Sequence, residues 1–245
     1  MSISTRLSIA WDSAPEPAEA TDTLILNSPK DKFVDVRPLI KSDLAFPFEW
    51  AFAGEAKLLA ADGSKLEFSH DFFDSVFIHE WTEAKKRELA GQAAKYPLKE
   101  DISKDVGYFE KLPDGTRRET GAMLNSATGK VENYVEMWMS VDPLKSSPDK
   151  KVQVSSSSIE PVPCRVFEVK SGGEGRFMRV GNWAQGVFWD KNNLEQPISV
   201  VRLFYNGSWS PVLEHGSVDM FPAADASVQV GETVERGTVV WHAVE

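Results

Sequence analysis

The stretch DLAFPFEWAFAG, residues 43–54, decides the fold. Taken in twos, Phe46, Phe48, Trp50 and Phe52 share one side, while Pro47, Glu49, Ala51 and Ala53 share the other. Alternation of period two marks a β-strand. The aromatic face is expected to pack into a core. The small face should line a confined space or lie beneath another element. Similar runs continue in both directions. RLSIAW (6–11), DTLILN (22–27) and KFVDVRPL (32–39) precede it, the last two separated by the turn cluster SPKD. After it, AADGSKLEFSHDFF (60–73) predicts a hairpin about Asp62-Gly63. DSVFIHEW (74–81) reads as a further strand.

The rhythm then changes. TEAKKRELAGQAAK (82–95) is rich in Ala, Glu and Lys, and Thr82 can cap it, so a short surface helix is expected there. Strands resume at VGYFEKL (106–112) and TRRETGAML (116–124), joined through Pro113-Asp114-Gly115, and this half closes with VENYVEMWMSV (131–141). Residues 142–163 collect clustered Ser and Pro and mark a domain boundary. The second half repeats the style in CRVFEVKS, RFMRVGNWAQGVFWD, ISVVRLFYNG, SWSPVLEHG, SVQVG and GTVVWHAVE. The expected fold is all-β: two antiparallel β-barrels in tandem, over residues 1–144 and 145–245, with a short helical insertion in the first. Closure is preferred to a sandwich because a barrel has no exposed edge for aromatic strands to aggregate through.

Composition narrows the function. The chain has 245 residues, a net charge of −10, eight Trp and 14 Phe. That charge repels nucleic acid and anionic membrane surfaces. Cys164 is the only cysteine, so neither an intrachain disulfide nor a cysteine-based zinc site is available. No run approaches the ~20 apolar residues of a spanning helix. A cytoplasmic protein with access to the nucleus is expected.

The opening stretch also carries a resemblance. FPFEWAFAG (46–54), VRPLIK (36–41), ETGA (119–122), EMWMSVDP (136–143), GNWAQG followed by KNN (181–193) and VRL (201–203) together resemble the fungal Hri family. That family takes its name from interaction with a yeast casein kinase I-type protein kinase. The resemblance implies two lipocalin-like barrels, no established enzymatic activity, a cytoplasmic and nuclear location, and protein partners. The partners implied are the casein kinase I-type kinase and the endoplasmic-reticulum translocation machinery. It attaches no catalytic residues and no cofactor.

The residues themselves offer little chemistry. His70, His79, His215 and His242 show no metal-ligand spacing, and no nucleophile motif is present. SGGEG (171–175) lacks the spacing of a phosphate loop and reads as a hairpin connection. Candidate ligand or partner contacts are Glu49, Trp50, Trp138, Trp183 and Gln185. Glu49 is the oddity among them. Inside a barrel it would need a partner or a raised pKa, whereas on the outward face it would pair across to a neighbouring strand. Gly181-Asn182-Trp183 matches the Gly-x-Trp with which lipocalin-like barrels plug one end. Ser103, Ser157 and Ser217 have the acidic spacing of candidate phosphosites. The leading expectation is a non-enzymatic interaction protein. The alternative is a carrier of a small apolar ligand, which would need an open apolar cavity of roughly 300 Å³ or more.

Overall fold

The structure is a computed structural model and describes residues 1–125, 127–155 and 161–245. Ten strands come first: β1 (Ser2–Trp11), β2 (Ala14–Ala18), β3 (Leu24–Asn27), β4 (Lys32–Pro38), β5 (Phe48–Leu58), β6 (Lys65–Phe68), β7 (Phe73–Asp74), β8 (Asp105–Lys111), β9 (Arg117–Asn125) and β10 (Lys130–Val141). The one α-helix among the described residues, α1 (Ser75–Leu89), follows β7. The sheet runs β10-β9-β8-β6-β5-β4-β3-β1, and β10 pairs back onto β1 through Ile3↔Val141 to Trp11↔Tyr134. Eight antiparallel strands therefore close into a barrel, with β2 and β7 as short side additions.

The second half holds β11 (Cys164–Ser171), β12 (Glu174–Val180), β13 (Trp183–Trp189), β14 (Ile198–Tyr205), β15 (Trp209–His215), β16 (Thr233–Arg236) and β17 (Val239–Ala243). These form a seven-stranded antiparallel sheet in the order β15-β14-β13-β12-β11-β17-β16. Among the described residues its two end strands do not pair with each other. It curls instead over a core of its own, in which Phe167, Phe177, Phe188 and Trp241 pack against Phe221 from the loop after β15.

Strand alternation explains why the two sheets stack. In β4, Phe33, Asp35 and Arg37 point into the barrel, while Val34 and Val36 point out. Trp50 and Phe52 of β5 point in, while Ala51 and Ala53 point out. The outward set lies under Met178, Val180, Trp183 and Val187 of the second sheet in one continuous apolar cluster. The small face of the opening stretch is thus small because another sheet covers it. The four aromatics, however, do not share one face. A register shift opposite Arg37/Pro38 leaves Glu49 as an extra residue. Such a bulge reverses the facing of everything beyond it. Phe48 turns outward into the inter-sheet cluster, and Phe46 with it packs edge-on against His79 and His215.

The other local difference is the helix. All of DSVFIHEW after Asp74, which closes β7, belongs to α1 rather than to a strand. Asp74 caps the helix, its Oδ1 accepting from the backbone N–H of Val76 (2.7 Å) and Phe77 (3.1 Å). Phe77, Ile78 and Trp81 then form one helical face, and Phe77 and Trp81 meet Trp189 edge-on. A short apolar run fits both periods, and here the cap and the waiting Trp189 decide. In the second half, SVQVG (227–231) is coil, and the edge strand lies just beyond it at Thr233–Arg236.

Polar ties cross the inter-sheet layer. Gln185 donates to the carbonyls of Leu24 (2.8 Å) and Val34 (3.1 Å). Its Oε1 accepts from Arg202 Nε at 2.7 Å. Arg202 also donates to the carbonyls of Asp22 (2.9 Å) and Val36 (3.0 Å), and Arg176 to those of Phe33 and Gly54. All three side chains are fully buried. Each carbonyl has two lone pairs, so one can serve the sheet ladder and the other the visiting side chain. Replacing Gln185→Leu preserves volume but strips two donors and leaves Arg202 Nε without a partner. The expected loss is about 2–4 kcal/mol, read in chemical denaturation against an exposed control such as Val131→Thr. A stability equal to that of the control would show that these ties contribute nothing.

Candidate functional site

The barrel interior contains a cavity of about 230 Å³. Its walls are apolar, with Phe33, Phe52, Leu66, Phe68, Phe109 and Met123. Its base is ionisable: Asp35 and Arg37 from β4, Asp105 from β8, Arg117 and Glu119 from β9, and Glu136 from β10. Two glycines make that base possible. A Cβ on Gly107 would stand 2.4 Å from a Glu119 carboxyl oxygen, and one on Gly121 would stand 2.6 Å from the Tyr134 hydroxyl. Both inward positions must be bare for those two side chains to lie across them.

The base is wired in two layers. Below it, Arg6 of β1 binds Glu136 (2.8 Å), Glu19 (2.7 Å) and Glu49. Burial opposes the Arg6 charge, but three carboxylates outweigh it and raise its pKa. Beside it, Arg37 donates twice to Asp35 Oδ2, at 2.8 and 3.0 Å, and lies 3.7 Å from Glu136. The Arg37 guanidinium also covers the faces of Trp50 and Phe52.

Glu119 stands apart from these pairs. It accepts the Tyr134 hydroxyl at 2.9 Å and, among the described residues, forms no ion pair. Burial, with the charge of Glu136 added, pushes its carboxyl up to about 8. The same burial and the same neighbouring carboxylates raise the Tyr134 phenol far above its usual range. Burial also raises Asp35 and Asp105, against the pull of Arg37 on the first and of His70 and Arg37 on the second. Among the described residues, two buried polar atoms on the cavity wall, Asp35 Oδ1 and the Trp138 indole N–H beside Glu119, have no partner at full hydrogen-bond geometry.

The structure distributes the five candidate contacts widely. Trp138 lines the cavity. Trp50 lies behind the wall, its indole N–H directed at Asp74 (3.3 Å). Glu49 sits at the bulge, partly exposed and outside the cavity, and its partner Arg6 is on β1 rather than on an adjacent strand. Trp183 and Gln185 lie in the inter-sheet layer. Trp183 therefore plugs no barrel end, and the Lys151 ammonium stands 4.6 Å from its ring centre. Gly181 before it has φ +61, and a Cβ there would meet the carbonyl oxygen of Pro143 at 2.6 Å. Ser103 and Ser217 are exposed, and Ser157 lies outside the described residues. Among the described residues no group of three His, Cys, Asp or Glu side chains could hold a metal. Burial and the nearby Glu245 push the Cys164 thiol up to about 11, which suits a packed side chain rather than a nucleophile. His70 donates from Nδ1 to Asp74 at 2.6 Å, because that carboxylate can only accept. No hydroxyl or thiol bonds to the other ring nitrogen.

The sequence blocks ETGA and EMWMSVDP thus meet in space, giving the cavity Glu119, Glu136 and Trp138, while GNWAQG and VRL give the inter-sheet layer Gln185 and Arg202. A family model described as Protein HRI1 matches residues 2–245. The chain belongs to the HRI1 family. A Protein HRI1 from Saccharomyces cerevisiae strain S288c is 25% identical over 94% of this chain and 93% of its own length. Its counterpart from strain Zymaflore VL3 is 24% identical over the same shares. A solved structure, the crystal structure of uncharacterized protein YLR301w from Saccharomyces cerevisiae, superposes with a TM-score of 0.79 at 24% identity. It covers 100% of this chain and 98% of its own, so the HRI1-family fold is shared from end to end.

A raised carboxyl sets the sign of a pH effect. Between about pH 4.5 and 8 the folded chain holds a proton on Glu119 that the unfolded chain has released, so this residue makes stability fall as pH rises through that window. Glu119→Gln keeps an acceptor for Tyr134 and removes the titration. The variant is expected to gain about 2–4 kcal/mol on wild type between pH 5 and pH 8.5, measured by urea denaturation at each pH. Parallel pH profiles for the two proteins would refute the assignment.

Proposed function

We propose that the protein is a non-enzymatic interaction protein, and that a protein partner docks on the outer face of β8, β9 and β10. The observation that carries this reading is an exposed apolar face on a closed barrel. Leu124 and Val131 oppose each other across β9 and β10 and are 64% and 72% exposed. Tyr108, at 51%, and Val135, at 40%, extend the patch through their shared neighbour Thr120. In the closed strand order, β9 lies diametrically opposite β4, so this face points away from the second sheet. A soluble barrel has no packing reason to present a row of large apolar side chains to water, and such patches mark docking surfaces.

The partner proposed first is the casein kinase I-type kinase that the family resemblance implies, with the endoplasmic-reticulum translocation machinery second. A cytoplasmic and nuclear location accords with either. The cavity supports this reading over the carrier of an apolar ligand. At about 230 Å³ it falls short of a drug-sized pocket, and its base is charged rather than apolar.

Binding to a purified casein kinase I-type kinase, followed by calorimetry, tests the proposal. Leu124→Asp combined with Val131→Lys replaces the central apolar pair by an opposite-charge cross-strand pair, which should leave thermal stability unchanged. Affinity is expected to fall at least tenfold, about 1.4 kcal/mol or more. No binding by wild type removes the kinase from the proposal. Undiminished binding by the variant removes the surface.

A further inference from the structure

The outer surface leaves the barrel interior unexplained, and the interior carries an inference independent of any protein partner. A pocket of about 230 Å³ is large enough for one ring with a short side chain, given that an engineered cavity of roughly 150 Å³ in another protein takes up benzene. Exposed Met1, Ser2 and Asp31 lie on its lining and mark its mouth.

The carboxyls inside it are unevenly partnered. Four carboxyls face the cavity below the mouth, those of Asp35, Asp105, Glu119 and Glu136, against Arg37 and Arg117. Arg37 is committed to Asp35 Oδ2, and Glu136 is served by Arg6. Arg117 turns aside. It donates from one terminal nitrogen to Ser4 Oγ at 3.0 Å, lies over the Phe109 ring, leaves its buried Nε without a hydrogen-bond partner, and forms no ion pair among the described residues. Glu119 accepts the Tyr134 hydroxyl, with the Trp138 indole and Arg117 close by but no ion pair among the described residues, and the nearest ring nitrogen to Asp105 is His70 Nε2, 3.8 Å away. The second oxygen of Asp35, wholly removed from water, has no hydrogen-bond partner among the described residues. A buried carboxylate oxygen without a partner is costly.

Each class of occupant meets this surface differently. An anion would enter among four carboxyls. A hydrocarbon would leave Asp35 Oδ1 and the Trp138 N–H as they are. An ammonium group would bring three donors to the carboxyls that lack them, and it would draw Glu119 into its ionised form. The ionised Glu119 would also be a stronger acceptor for the nearby Trp138 N–H. The rings of Phe33, Phe52 and Phe68 would cover the apolar body of the ligand and face its cation favourably.

We propose that the barrel is a binding site for a small organic cation, a primary ammonium on an apolar body of about one ring, with the ammonium held among Asp35, Glu119 and Asp105. The site is internal and the docking face external, so either assignment can fail without the other. Three probes of one shape separate the chemistry: phenethylamine, phenethyl alcohol and phenylacetate, each titrated into the whole protein by calorimetry with protein-observed NMR. The amine is expected to bind at least tenfold more tightly than the alcohol, with no binding of the carboxylate. Glu119→Gln, which keeps the Tyr134 hydrogen bond, should weaken the amine at least tenfold. Ala56→Leu, which narrows the cavity without touching its charge, should exclude amine and alcohol alike. Preference for the alcohol or the carboxylate, full amine affinity in Glu119→Gln, or no binding of any probe to wild type would each overturn the proposal.

Discussion

Everything in this molecule depends on β4 and β5 being buried on both faces. A strand normally has one face for the core and one for water. Here the inward face of the pair builds the barrel interior and the outward face builds the floor on which the second sheet rests. Two cores therefore share one pair of strands, and their demands are opposite. The outward side must be flat enough for another sheet to approach, which Ala51 and Ala53 permit. The inward side must reach into the barrel, which Phe52 and Arg37 do. Fully burying both sides would leave backbone carbonyls with nothing but the ladder. The donors of Arg176, Gln185 and Arg202 fill the remaining lone pairs and fix where the second sheet sits.

How much of this was legible in the sequence depends on range. Period two across residues 43–54 gave the strand, and the short turn clusters gave the hairpins around Gly63 and Gly115, both with positive φ. Those features are local. The bulge at Glu49 is not, because nothing within the stretch says that Pro38 on the neighbouring strand forces an extra residue there. The helix start is hidden in the sequence for a related reason. Ser75 to Trp81 fits either period, and only Trp189, more than a hundred residues away, rewards the helical one.

The candidate site shows the same division. Trp138 was found as a bulky residue in a strand, and it does line the cavity. Glu119, Glu136 and Asp35 do not stand out in the sequence, since an acidic residue in an alternating strand usually faces water. A signal existed in the pattern of neighbours. Glu119 lies two residues before Gly121 on the same face, and Gly107 lies on the next strand, so small residues surround a long one. Bare positions beside a carboxyl make room for it to lie down inside. Gln185 came into view through the GNWAQG block, but its role was hidden, because a polar residue flanked by Ala184 and Gly186 gives no hint that its partners are carbonyls of another sheet.

The polarity of the barrel follows from what surrounds it. Its outward faces at β3, β4 and β5 are sealed by apolar contact, so the interior does not need to supply the hydrophobic stabilisation that an isolated barrel draws from its own filling. That releases inward positions for charge. Ionisable groups placed there are largely removed from water, and their mutual effects are correspondingly large. The pairing of Arg6 with three carboxylates and of Arg37 with Asp35 shows how most of that charge is neutralised. Glu119 is the group for which neutralisation comes from a proton instead of a partner. A proton is the smallest cation that can do this, and it is exchangeable with the solvent. The barrel thus holds one position at which charge is balanced by something that can leave, inside a space large enough for what could replace it.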